Sequence, residues 1–178
     1  MKKKRILALF LAAVSCLSLA VSASAASATT RKATDFKDYD RTAWYAEAVS
    51  AAVDNGLLYG KSSTIIDPNG DMTRAEMAAI INRSFGCYKQ ADISQYKDVA
   101  KSKWYYKDVG LAVQMGTYNG RSSSTMAPDA PISRQEAMTV VARALELDYD
   151  SYSKTDLSAF TDRSEISNWA LPYVRAMV

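Results

Sequence analysis

Histidine is absent from all 178 residues, and cysteine occurs only twice. Without histidine there is no Ser-His or Cys-His nucleophile pair, and with two thiols no metal cluster of the Cys/His kind. Cys16 lies in an N-terminal apolar stretch, so removal of that stretch leaves Cys87 alone, without an intrachain disulfide. A domain of this kind holds itself together through its core. Period-2 alternation of apolar and polar residues is missing beyond short runs, which argues against a sheet. Phosphate-loop chemistry is also wanting, because Gly56-x-x-x-Gly60, although followed by Lys61-Ser62, has three residues between its glycines where a phosphate loop has four. No enzyme, cofactor or metal site is expected.

A charge excess is the last absence. The whole chain counts 22 Lys plus Arg against 19 Asp plus Glu. Four of the basic residues, Lys2, Lys3, Lys4 and Arg5, precede the apolar run from Ile6 to Val14, and Ala-x-Ala sites follow at Ala23-Ser24-Ala25 and Ala26-Ser27-Ala28. This is the pattern of a secretory signal peptide over 1–25, too short for a comfortable membrane span. The remaining 18 basic and 19 acidic residues leave the mature chain at −1. That balance argues against nucleic acid as a partner, and no membrane association is expected after cleavage. Residues 26–35 are rich in Ala, Ser and Thr and read as a flexible lead-in.

What the chain does contain is a repeat with a fixed offset of sixty residues. Phe36-Lys37-Asp38 returns as Tyr96-Lys97-Asp98, and Trp44-Tyr45 as Trp104-Tyr105. Gly56 and Gly60 return as Gly116 and Gly120, Pro68 as Pro128, Arg74 and Glu76 as Arg134 and Glu136, and Arg83 as Arg143. A third copy starts at Phe160-Thr161-Asp162 and carries Trp169. Self-similarity at this period marks a scaffold of stacked units. Each unit reads as helix, loop, helix. In the first, Trp44, Ala48, Val49, Ala52 and Val53 make a helical stripe that Gly56 ends, and Thr73 with Glu76 caps a second helix after a loop containing Pro68. In the second, Trp104, Val109, Ala112 and Val113 form the stripe, Gly116 ends it, and Ser133 with Glu136 caps the next helix. Pro172 places the start of a last helix, of about ten residues, near Trp169. One such unit has too little core to fold alone, so the copies are expected to pack on one another around a common axis.

The aromatic-x-Asp opening, the Trp-aromatic helix start, the Gly-x-x-x-Gly step, the Pro-containing loop, and Thr-Arg-Ala-Glu at 73–76 with Ser-Arg-Gln-Glu at 133–136 resemble the S-layer homology family. The resemblance implies an all-α, pseudo-threefold bundle of tandem helix-loop-helix modules, here module 1 over 36–87, module 2 over 96–147, a linker over 148–159 and a partial module 3 over 160–178. It further implies a secreted protein at the cell wall or surface layer, held there non-covalently. Grooves between modules would bind a secondary cell-wall polysaccharide that in the family often carries a pyruvate ketal. Two other readings stand beside it. The grooves could receive neighbouring subunits of a surface lattice, or the chain could be the N-terminal anchor of a wall-active enzyme. A glycosidase reading is weak, because Asp67 and Asp71 face Ala127 and Pro131 in the second copy.

The resemblance assigns groove contact to Arg74 and Arg134. The residues agree, since a guanidinium at a helix first turn adds a bidentate carboxylate grip to free backbone N–H groups. Glu76 and Glu136 are explained by capping alone. Trp44 and Trp104 suit the core best, with a sugar-stacking edge as the sharper reading. Asp38 and Asp98 either brace the first helix or bond sugar hydroxyls. Gly60 and Gly120 read as turn glycines with positive φ or as a groove floor. Lys61 and Arg121, just after them, offer a second positive group.

Overall fold

In the computed structural model the description covers residues 31–178, so the expected signal peptide over 1–25 and residues 26–30 of the lead-in lie outside the described residues. Helices account for the regular structure: α1 Ala46–Asp54, α2 Arg74–Phe85, α3 Tyr106–Gln114, α4 Arg134–Ala144 and α5 Leu171–Ala176, with 3₁₀ turns at Ala33–Asp35 and Arg163–Glu165. Among the described residues there is no strand, and a lone antiparallel bridge joins Thr73 to Pro131. The all-α reading of the sequence therefore holds.

Local chemistry sets the ends of these helices. The Thr73 and Ser133 hydroxyls accept the N–H of Glu76 and Glu136 at 3.2 and 3.3 Å, and each carboxylate reaches back to the cap N–H at 2.8 Å. Gly56 and Gly116, with φ +68° and +72°, stop α1 and α3 as the sequence predicts. The first helices begin later than expected. Tyr45 and Tyr105 occupy the N-caps, so both tryptophans stand outside the helices they were expected to open. The last helix is six residues rather than about ten, with Pro172 in its first turn. Part of the lead-in is ordered too. Ala33 is 1% exposed in a small core with Phe36, Val53 and Ile66, because the 3₁₀ turn carries it against α1.

The helices do not pair as the repeats are written. In the contact pattern, α2 packs on α3 of the next copy, and α4 packs likewise on α5. The largest core joins Ala75, Met77, Ala78 and Ile81 of α2 to Tyr105, Val109 and Ala112, with Ile93 between them. Asn82 ties the two helices at the polar edge, its amide donating to Asp108 O at 2.8 Å. Each repeat therefore completes its core with the following one, which explains why a single unit would not suffice.

The repeated motif also has a physical reading. At Gly60 an added Cβ would lie 2.5 Å from Phe36 Cε1 and 2.7 Å from Ile65 O; at Gly120 it would meet Tyr96 Cε1, Ser122 O and Thr125 O. The opening aromatic thus packs closely against the loop glycine. Two residues on, the aspartate closes the same loop. Asp38 accepts the N–H of Ile66 and Asp67 at 3.0 and 2.7 Å, and Asp98 those of Met126 and Ala127 at 3.0 and 2.6 Å. Neither aspartate braces the first helix. Gly60 does take positive φ, at +81°, but Gly120 does not, and its requirement is close approach alone.

Candidate functional site

Each full repeat holds a trough between its loop and its second helix. Groove 1, about 530 Å³, is lined by Gly60, Lys61, Glu76, Arg83 and, from the next repeat, Trp104. Groove 2, about 500 Å³, is lined by the counterparts Gly120, Arg121, Glu136 and Arg143, with Trp169 from the third copy. Groove 2 has one further wall, the Arg74 side chain arriving from the preceding repeat. The walls come mainly from one repeat, with single side chains of its neighbours completing them. That differs from a cleft lying wholly between modules.

Arg74 is 5% exposed and fully engaged. Its Nε donates to Met126 O at 3.0 Å, Nη2 to Asn119 O at 3.2 Å and Nη1 to Glu136 Oε1 at 3.0 Å, while the guanidinium lies 5.1 Å from the Tyr118 ring centroid. The backbone around it is occupied as well. Arg74 N donates to Ala130 O and Ala75 N to Pro128 O, both at 2.9 Å. The expected combination of open helix amides and a free guanidinium is therefore not what α2 presents. Loop carbonyls of the second repeat consume both, and Arg74 pins that loop while showing one edge to the groove.

Arg134 shares the capping position but not the surroundings. Its side chain is 74% exposed, with Nη1 3.9 Å from Asp162, and it borders an apolar hollow of about 210 Å³ formed with Met138, Leu157 and Phe160. Residues 160–178 give α4 a helix to pack on but no loop like 117–132 to receive this guanidinium. The two arginines therefore do different things despite holding the same position in a capping box.

Arg121 stands beside Arg74, as the repeat suggested for a second positive group. It is 3.1 Å from Glu136 Oε1, the same oxygen that Arg74 holds, whereas Lys61 Nζ is bound 2.7 Å from Glu76 and also to Asp71 O. Glu136 is thus more than a cap: one carboxylate ties the cap, the preceding repeat and the loop. Burial alone would push its carboxyl up, but the Ser133 N–H, Arg74 and Arg121 outweigh that and hold it below the ordinary glutamate range. At Glu76 burial is likewise outweighed, there by Lys61 and Thr73. A carboxyl whose folded value is depressed binds fewer protons folded than unfolded, so its stabilisation is complete above the ordinary value of 4.5 and is lost as pH falls through the folded value. Thermal unfolding should therefore be steady near neutrality and decline once pH drops below about 4.5, with Glu136→Gln flattening the decline. A melting temperature level down to pH 3 would count against this network.

The tryptophans are not in the core. Trp44 is 92% and Trp104 59% exposed, because Tyr45 and Tyr105 take the inward positions and each tryptophan stacks edge-on against its neighbour at 5.7 and 5.4 Å. Tyr105 is 1% exposed, and burial with its hydrogen bond to Asp129 pushes its hydroxyl up to about 12. Trp104 and Trp169 rim grooves 1 and 2, placing an indole beside each trough. Trp44 lines neither.

Four groove residues stand outside the candidate site set read from the sequence. Arg83 and Arg143 recur in register but carry no role in the sequence reading; Arg83 covers the Tyr59 ring at 4.1 Å and Arg143 the Tyr173 ring at 4.8 Å. Trp169 belonged to a fragmentary copy. Tyr118 is the fourth, 3% exposed, with its Oη lacking a hydrogen-bond partner and its hydroxyl pushed up by burial. The signal was a break in the repeat, tyrosine standing where the first copy has Leu58.

Residues 35–78 and 95–138 match the S-layer homology domain, and the chain belongs to that family. It is similar to the surface-layer 125 kDa protein of Lysinibacillus sphaericus, 31% identical over 147 residues, covering 82% of this chain and 12% of that protein. An endoglucanase of Bacillus sp. (strain KSM-635) is 26% identical across 76% of this chain and 14% of its own length. A cellulosome-anchoring protein of Acetivibrio thermocellus is 29% identical, covering 62% of this chain and 26% of its own length. The chain thus spans about an eighth of the first two relatives.

Proposed function

We propose that this chain is a non-covalent cell-wall anchor whose grooves hold an anionic secondary cell-wall polysaccharide, with a pyruvate ketal as the carboxylate donor. Its place is the cell surface, as family membership and relatives named as surface-layer and cell surface proteins indicate. The observation that carries the ligand class is the convergence of Arg74, Arg121 and Arg143 on one trough of about 500 Å³, rimmed by Trp169. Arginine offers a planar fork matched to a carboxylate, and an indole face beside it suits a pyranose ring. Asp38 and Asp98 serve this site indirectly, by fixing the loops that bear Lys61 and Arg121.

Secreted protein mixed with isolated walls should sediment with them. After removal of the secondary polymer by hydrofluoric acid, most of it should stay in the supernatant. Undiminished retention on stripped walls contradicts a glycan ligand, and retention lost only on protease treatment of the walls favours a protein partner in a surface lattice.

A second reading has its own support. Relatives named endoglucanase, exoglucanase and amylopullulanase resemble this chain over only 14%, 13% and 8% of their lengths. An anchoring segment joined to a wall-active enzyme is compatible with the same groove chemistry.

A further inference from the structure

The two grooves come from one repeat but are not chemically equal. Groove 2 is lined by three arginines and one glutamate, net +2. Groove 1 is lined by Lys61 and Arg83 against Asp67, Asp71 and Glu76, net −1. The positions of Asp67 and Asp71 are held in the second copy by Ala127 and Pro131, which carry no charge. No arginine of a preceding repeat enters groove 1, among the described residues. Its lysine is already held by Glu76 and by Asp71 O.

The second difference lies deeper. Tyr118 lines groove 2 at 3% exposure, and no described group bonds its Oη. Buried hydroxyls are rarely left alone, and such an exception in a trough is what a ligand oxygen would satisfy. Its counterpart in groove 1 is Leu58, which has no polar atom to offer. Arg74 lies against the Tyr118 ring and fixes it in place.

We propose that groove 2 is the acidic-sugar site of this chain, with Tyr118 Oη bonding a ligand oxygen and Arg121 facing the ligand carboxylate, while groove 1 rejects that ligand. The inference rests on the anchoring reading above and narrows it to one site. A carboxylate entering groove 1 meets three others in a trough partly shielded from water, where like charges repel more strongly than in bulk solvent.

Each groove carries its own reporter, the indole N–H of Trp169 for groove 2 and that of Trp104 for groove 1. The experiment titrates the secreted chain with the methyl glycoside of an N-acetylhexosamine bearing a pyruvate ketal, then with the same sugar lacking it, and follows both indole signals by NMR. The ketal sugar should shift Trp169 and leave Trp104 in place, and the neutral sugar should bind at least tenfold more weakly. Tyr118→Phe should weaken the ketal sugar about tenfold while leaving the melting temperature equal or higher, since it removes a buried hydroxyl without a partner. Equal shifts of both indoles overturn the inference and leave the anchoring reading standing. So does unchanged affinity in Tyr118→Phe. If neither indole moves, the anchoring reading fails and this inference with it.

Discussion

Arg74→Ala is expected to cost about 3 kcal/mol of stability, a fall in melting temperature of roughly 10 °C. The size follows from what the guanidinium does. Removing it leaves Met126 O and Asn119 O without their donors and takes one of two arginines from Glu136, in a place where the two side chains are 6% and 13% exposed. Buried acceptors stripped of a partner cost far more than an exposed ion pair. Arg134→Ala, by contrast, should shift the melting temperature little, because that side chain is 74% exposed. Differential scanning calorimetry of the two variants makes the comparison, and equal effects would contradict the different roles assigned to them. It also follows that weaker wall binding by Arg74→Ala says little about ligand contact unless folding is checked first.

The second large effect is at the groove floor. Gly120→Ala should destabilise by about 3 kcal/mol, at the upper end of overpacking costs. The new methyl would stand 2.5 Å from Ser122 O and 2.8 Å from Thr125 O, and would press on the Tyr96 ring. None of these can easily retreat. The loop is closed by Ser122 N bonding Thr125 O and by Asp98 holding Met126 and Ala127, while Tyr96 Oη accepts the Gly120 N–H. A melting temperature within 2–3 °C of the parent, in a protein of this size, would mean that the loop yields and that the aromatic-glycine contact does not set its shape.

These two positions also mark how far the sequence could be read. Features decided within a few residues were legible: the Thr73–Glu76 and Ser133–Glu136 boxes, the stops at Gly56 and Gly116, and the helix-loop-helix order. Features decided by the neighbouring repeat were not. Arg74 and Arg134 hold the same capping-box position, yet one is buried by residues 117–132 and the other, among the described residues, has no such loop against it. The helical stripe placed Trp44 and Trp104 inward, but the helices begin one residue after Tyr45 and Tyr105, which turns the tyrosines in and the indoles out. Perfect register between the copies drew attention to what is shared. The substitution of Leu58 by Tyr118 and of Asp67 and Asp71 by Ala127 and Pro131, which makes the grooves unequal, shows its meaning only when the lining is assembled.

The most direct test of the account is wall retention of Arg121→Glu. Arg121 is 45% exposed and its ion pair contributes little to folding, so the variant should keep a melting temperature close to that of the parent. The substitution takes groove 2 from +2 to neutral and sets a carboxylate where the ligand's own is to bind. The account predicts at least a tenfold loss of sedimentation with intact walls. Retention equal to that of the parent, in a variant shown to be folded, would contradict it.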